Sequence, residues 1–189
     1  MENKTQLKVL GLTYTQTQSQ AFALILGEEN SKRRLPVLIG PIEAQAIALL
    51  ANAVNLPRPL THDLIIDVLK VNGMQLREVQ IYKEERGIFH SHLVCYRADD
   101  DQTIKMESRT SDAVALAVLT NCPIYTSEEI LQESSIEIDE KMFMTNSSQV
   151  NEITPVSSLE AELQRAIDEE NYELAATIRD ELKAMGEQQ

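Results

Sequence analysis

The stretch Ile104-Lys-Met-Glu-Ser-Arg-Thr-Ser-Asp-Ala-Val-Ala-Leu-Ala-Val118 starts with the alternation of a strand and ends as an alanine-rich helix. Glu107, Arg109, Thr110, Ser111 and Asp112 stand at the changeover, where a core would want no polar residue. Thr110 or Ser111 can cap the helix by accepting a bond from a first-turn N–H. Asp112 suits the positive end of the helix dipole. Free backbone N–H groups at such a junction can also hold a phosphate. Acid, guanidinium and anion-binding chemistry therefore fall within six residues, although a capped helix with an Arg109 salt bridge uses the same groups.

Leu56-Pro-Arg-Pro-Leu-Thr-His-Asp-Leu64 repeats the theme. The prolines hold Arg58 extended. Thr61 is placed to cap a helix in which Leu64, Ile65, Val68 and Leu69 share a face, with Asn72-Gly73 as its stop. His62 and Asp63 then lie in the first turn. A third helix start, Gly40-Pro41, has proline at its favoured first position and Glu43 just inside. This strand–turn–helix echoes the first at an offset of 69 residues. Glu43-Ala44 aligns with Asp112-Ala113, and Asn52 with Asn121. An internal duplication would place the two units in one sheet.

The elements that must position these residues read as follows. Strands are expected at Leu7–Tyr14, Ala21–Leu26, Leu35–Ile39, 75–83, 88–97, 102–107 and briefly at Ile124-Tyr125, with hairpin loops at 84–87 and 98–101. Lys32, Arg33 and Arg34 form a basic loop cluster, the electrostatic handle of the chain. Alternation puts His90 and His92 on one face; such a pair can ligate zinc, but no third ligand follows at matched spacing. Thr126-Ser-Glu-Glu129 is a capping box before a helix ending near Glu133. Residues 134–156 lack periodicity and read as a linker. In the tail, Leu159, Leu163, Ala166 and Ile167, then Tyr172, Ala175, Ala176, Leu182 and Met185, form two helical stripes separated by Asp168-Glu-Glu-Asn171. Such a hairpin buries too little to stand alone and is expected to pair with a partner or a copy of itself.

The chain has 189 residues and a net charge of −13, almost half of it in residues 141–189. That surface repels polyanions at long range, so nucleic-acid chemistry would need a local basic site or bound cations. No apolar run is long enough to span a bilayer, and the opening Met1-Glu-Asn-Lys-Thr-Gln does not read as a signal peptide. Two cysteines in apolar surroundings suit a reducing cytoplasm rather than a disulfide frame.

Residues 7–133 resemble the bifunctional nuclease domain. The resemblance is carried by Leu35-Pro-Val-Leu-Ile-Gly, Glu43-Ala44, Arg58-Pro-Leu-Thr-His-Asp-Leu64 and Arg109-x-Ser-Asp-Ala-Val-Ala-Leu-Ala117. Glu107 stands where that family usually has Asp, and Thr110 where it has Pro. Residues 157–186 resemble the UVR motif of bacterial excision-repair proteins through Asn171-Tyr-Glu-Leu-Ala-Ala-Thr-Ile-Arg-Asp180. The first resemblance implies hydrolysis of RNA and DNA phosphodiesters with low sequence specificity. The second implies protein–protein association.

A nuclease needs an activated water, a neutralised phosphate and a stabilised leaving oxygen. Glu43, Asp63, Glu107 and Asp112 are the candidate ligands for Mg²⁺ or Mn²⁺. Glu107 and Asp112 also count as catalytic candidates beside His62, as general acid or base, and Arg58 and Arg109, as phosphate clamps. Thr61, Ser111, Lys32, Arg33 and Arg34 are candidate substrate contacts. A single active site requires these groups to converge on one cleft, which spacing alone does not establish. The competing structural reading has Asp63 and Asp112 satisfying helix N-termini, with Arg58 and Arg109 pairing to them.

The expected architecture is α+β. A mixed sheet of six or seven strands with packed helices (1–133) precedes a linker (134–156) and a helical hairpin (157–189). The expected assembly is a cytoplasmic homo-oligomer, simplest as a dimer, with nucleic acid as substrate. The alternative is a non-enzymatic binding or regulatory module that recruits a partner through the hairpin.

Overall fold

A computed structural model describes residues 4–14, 21–29, 31–54, 57–137 and 179. The chain divides into two units, Met1–Ser147 and Ser148–Gln189. Apart from Arg179, which is helical and exposed, the expected hairpin lies outside the described residues.

Three strands, β1 (Lys4–Tyr14), β2 (Phe22–Glu28) and β3 (Arg33–Ile39), form an antiparallel meander and lead into α1 (Pro41–Ala51). Then come α2 (Thr61–Val71) and a second meander, β4 (Met74–Glu85), β5 (Ile88–Arg97) and β6 (Gln102–Arg109), which leads into α3 (Thr110–Thr120). The described chain closes with β7 (Ile124–Ser127), α4 (Glu128–Ser134) and β8 (Ile136–Glu137). All eight strands join one sheet in the order β6-β5-β4-β7-β1-β2-β3-β8. The β4–β7 pairing is parallel and the others are antiparallel, so the sheet is mixed and the fold α+β. One strand more than expected arises from the two-residue β8, which lies inside the stretch read as linker.

The 69-residue echo has a structural counterpart. Each half is a three-stranded meander followed by a helix, and β7 separates the two meanders within one sheet. The two helices pack on each other. α1 therefore rests chiefly on α3. From Ala113 to Ala117, α3 is at most 2% exposed. A helix apolar on every side is a core helix, and small side chains let α1 and the strands approach it closely.

Three cap assignments change. Thr110 and Ser111 are buried and do not cap α3, whose N-cap is Arg109 without a side-chain bond. The Thr110 hydroxyl instead donates to the Phe89 carbonyl at 2.8 Å and lies 2.7 Å from Ser91 Oγ. Thr61 is the first residue of α2. Its cap is supplied from inside, by Asp63 accepting from the Leu60 N–H at 2.7 Å. At α4 the cap is Ser127, which accepts from the Ile130 N–H, while buried Thr126 donates to the Ile81 carbonyl. At α3 and α4 tertiary burial claims the threonine hydroxyl that local sequence assigned to the helix end.

The face of α2 is also rotated from expectation. Ile66 and Leu69 are buried, whereas Leu64, Val68 and Val71 are 60%, 51% and 87% exposed. Helix α2 meets β4 and α3 with the side opposite to the richer apolar stripe.

Candidate functional site

Arg109 is the hub of the polar groups. It ends β6, in an extended conformation, and its guanidinium turns back over the first turn of α3. Nε donates to Asp112 Oδ2 at 2.7 Å and a terminal nitrogen donates to Oδ1 at 3.1 Å, a bidentate fork. The other terminal nitrogen donates to Glu43 Oε1 at 3.0 Å. Glu43 and Asp112 are each the third residue of their helix, so one arginine clasps the matching carboxylates of both halves. The Arg109 side chain is 69% exposed, while its partners are only 25% and 30% exposed. Both carboxylates hold the guanidinium firmly in its cationic form, Asp112 more strongly. His62, in the first turn of α2, places Nε2 3.8 Å from Asp112 Oδ1. Three helix starts thus deliver Glu43, His62 and Asp112 around one exposed guanidinium.

The remaining candidates are placed elsewhere. Asp63 is occupied as the cap of α2. Arg58 and Asp63 line an open cleft of about 1240 Å³ between the ends of α1 and α3, and α2; Arg109, Glu43, Asp112 and His62 do not line it. Glu107 points to a different group, with Oε1 3.4 Å from the Tyr82 hydroxyl and 3.5 Å from His90 Nδ1. Ser111 is buried. Thr61 is exposed at the start of α2.

Two of the three cations of the basic loop are committed within the fold. Arg33 is tied to Glu128 at 2.6 Å and Glu28 at 2.9 Å. Arg34 is 7% exposed and donates to the Ser31 and Arg33 carbonyls. Lys32 is exposed and also engaged. The cluster fastens β3 to its neighbours.

Sequence reasoning passed over Tyr82. It is the extra residue at an irregularity between Ile81 and Lys83 in the β4–β5 ladder. Its ring stacks on His92 with centroids 3.9 Å apart and planes 9° apart, and it tilts toward His90 at 6.2 Å. Register pairs His90 with Arg109 and His92 with Glu107, so this ring group adjoins the Arg109 clasp across the strand. The in-phase His90 and His92 were the available signal. Their partner is an aromatic ring rather than a metal ligand, because a bulge in β4 re-aims Tyr82 over them.

The two carboxylates are hard-cation donors by type, whereas the imidazole suits borderline metals. Among the described residues, no three His, Cys, Asp or Glu side chains converge as a cation cage. Mg²⁺, however, is commonly held by one or two carboxylates with waters and substrate phosphate oxygens. Glu43 and Asp112 fit that smaller requirement; Asp63 and Glu107 stand apart from them.

Comparison with known proteins covers both units. Residues 24–139 match the model of the bifunctional nuclease domain, a span that contains every member of the clasp. Residues 154–188 match the UvrB/uvrC motif. Uncharacterized proteins of two Mycobacterium tuberculosis strains, CDC 1551 / Oshkosh and ATCC 25618 / H37Rv, are 40% identical over 136 residues, covering 72% of this chain and 79% of theirs. Bifunctional nuclease 1 of Oryza sativa subsp. japonica is 24% identical over 114 residues, 59% of this chain and 34% of the rice protein.

Proposed function

The chain belongs to the bifunctional nuclease domain family, and on that premise we propose that it hydrolyses phosphodiester bonds of RNA and DNA with low sequence specificity. The observation that carries this reading is the clasp of Arg109 by Glu43 and Asp112 beside His62. An exposed guanidinium with two fixed donors matches the geometry of a phosphate. When phosphate oxygens replace a carboxylate on that fork, the fork neutralises charge on the group under attack. His62 then stands beside the phosphate, with Asp112 to orient its ring. It takes the proton of an attacking water or returns one to the leaving oxygen, completing P–O cleavage.

Mg²⁺ or Mn²⁺ is proposed as an assistant held by Glu43 and Asp112; when bound it would neutralise the scissile phosphate and offset the acidic surface. Residues 157–186 are proposed to associate with a protein partner or a second copy, and 134–156 to tether them. A homodimer through the main unit is supported by the exposed Leu64, Val68 and Val71 on α2. A cytoplasmic setting suits the two free thiols.

One observation favours a second reading, a non-enzymatic binding module: Asp63 and Asp112 both do structural work, as a cap and as a salt-bridge partner. Labelled single-stranded RNA and DNA, incubated with and without EDTA, separate the two. Wild type is expected to cut both, with EDTA suppressing turnover. Arg109→Met is expected to lose about 100-fold in rate, as for removal of one positioned donor. Absence of turnover in pure wild type removes the nuclease reading, and a folded Arg109→Met that cuts normally removes the clasp as its site.

A further inference from the structure

The face of β5 opposite Ser91 carries an unusual row of planar side chains. Ser91, Leu93 and Cys95 of β5 are buried, with Ser91 joined to Thr110 of α3. Alternation then turns His90, His92 and Tyr96 to the opposite side. The β4 partner strand is irregular at two places, between Leu76 and Glu78 and between Ile81 and Lys83. The extra residue at each is a planar group laid on a β5 ring. The Arg77 guanidinium lies 3.8 Å over Tyr96, and Tyr82 lies 3.9 Å over His92. On β6, alternation puts Lys105, Glu107 and Arg109 in one row beside them. The two stacked pairs therefore share a partly exposed sheet face with Lys105, Glu107 and buried Val94, and the row ends at Arg109.

A hairpin needs no bulge to pair its strands, and a bulge leaves a ladder position unpaired. Here both bulges deliver a ring or guanidinium to the same face. Half-exposed planar groups beside cations are what unpaired bases stack on, and the preference is sequence-tolerant because every base has a π-face. A paired base offers no free face, so a duplex gains nothing from such a platform.

We propose that the β4–β5 face bearing Tyr82 and His92 is a nucleobase-stacking subsite for single-stranded nucleic acid, holding an unpaired base next to the phosphate at Arg109. This rests on the nuclease reading for the phosphate position only. Glu107, beside the Tyr82 hydroxyl, borders the platform as an acceptor for amino groups of the stacked base.

The test is fluorescence anisotropy with full-length protein and a fluorescein-labelled thymidine 12-mer, its central-abasic counterpart and a blunt duplex. Tyr82→Leu is expected to weaken binding of the intact single strand about tenfold, within the range for loss of one stacked base. Tyr82→Phe, which keeps the ring, is expected to stay within about twofold of wild type, and His92→Leu to behave like Tyr82→Leu. The abasic strand and the duplex are expected to be indifferent to Tyr82→Leu. Equal affinity of Tyr82→Leu and wild type for the intact strand overturns the subsite, as does an equal loss on the abasic strand. Binding is read without turnover. An inactive protein that shows the Tyr82 effect refutes the nuclease reading alone, and an active one without it refutes the subsite alone.

Discussion

Replacing Thr110 by Val tests what fixes the Arg109 clasp in place. Thr110 is 4% exposed and its neighbour Ser91 is fully buried. The Thr110 hydroxyl joins the Phe89 carbonyl at 2.8 Å and Ser91 Oγ at 2.7 Å, fastening the first turn of α3 to β5. Valine fills nearly the same volume, so packing changes little and the loss is polar. Two buried hydrogen bonds at about 1 kcal/mol each give roughly 2 kcal/mol, with the stranded Ser91 hydroxyl acting in the same direction. For a chain of this size that lowers Tm by about 4–8 °C. Thr110→Ser keeps the hydroxyl and should cost well under half as much. Because Ser91 shares the bond, Ser91→Ala with Thr110→Val should cost less than the sum of the singles, by about 1 kcal/mol. Urea unfolding followed by far-UV circular dichroism reads all four members of the cycle. A Thr110→Val loss below about 0.5 kcal/mol, or strict additivity with Ser91→Ala, would refute the claim that this buried pair anchors the site.

Arg33 holds the Glu128 carboxyl below its ordinary value of 4.5, so the pair stabilises the fold above that range and its contribution disappears as acid protonates Glu128. Glu128→Gln should therefore lower the urea midpoint at pH 7, and the gap to wild type should narrow as pH falls below 4.5; a gap that stays constant as the solution is acidified counts against the ion pair. The exposed stripe on α2 should hold two copies together: light scattering is expected to give a dimer for wild type at micromolar concentration and a monomer for Val68→Asp. A monomeric wild type ends that proposal.

Most elements of the main unit were legible from periodicity, since strands stand at the seven expected places and helices begin at the four expected helix starts. The pairing of Glu43 with Asp112 was visible as an alignment before it was visible as a shared arginine. What failed did so for a common reason. Thr110 and Thr126 were read by local capping preference, which carries no information about which hydroxyl a distant strand will claim. The α2 face was misread because its apolar residues occupy more of its surface than the core requires. The strand order was also hidden, because β7 enters between β4 and β1 from the far end of the domain. Glu107 followed its strand row toward Tyr82 and His90, and no spacing within its own segment could have announced that.

The two halves carry equivalent carboxylates but unequal residues ahead of them. Arg109 precedes α3, while Gly40 precedes α1, and Glu43 Oε2 folds into the space that a side chain at Gly40 would need. The first half thus has an acid with no cation of its own, and it lends that acid across to the second. Neither half assembles the clasp by itself, so its four polar groups report on whether two remote stretches of chain have met. Any event that parts the halves, whether partial unfolding, a cut between them or an exchange of one half between copies, disarms the site before the fold as a whole is lost. The integrity of the clasp is in that sense coupled to the contact between the two halves.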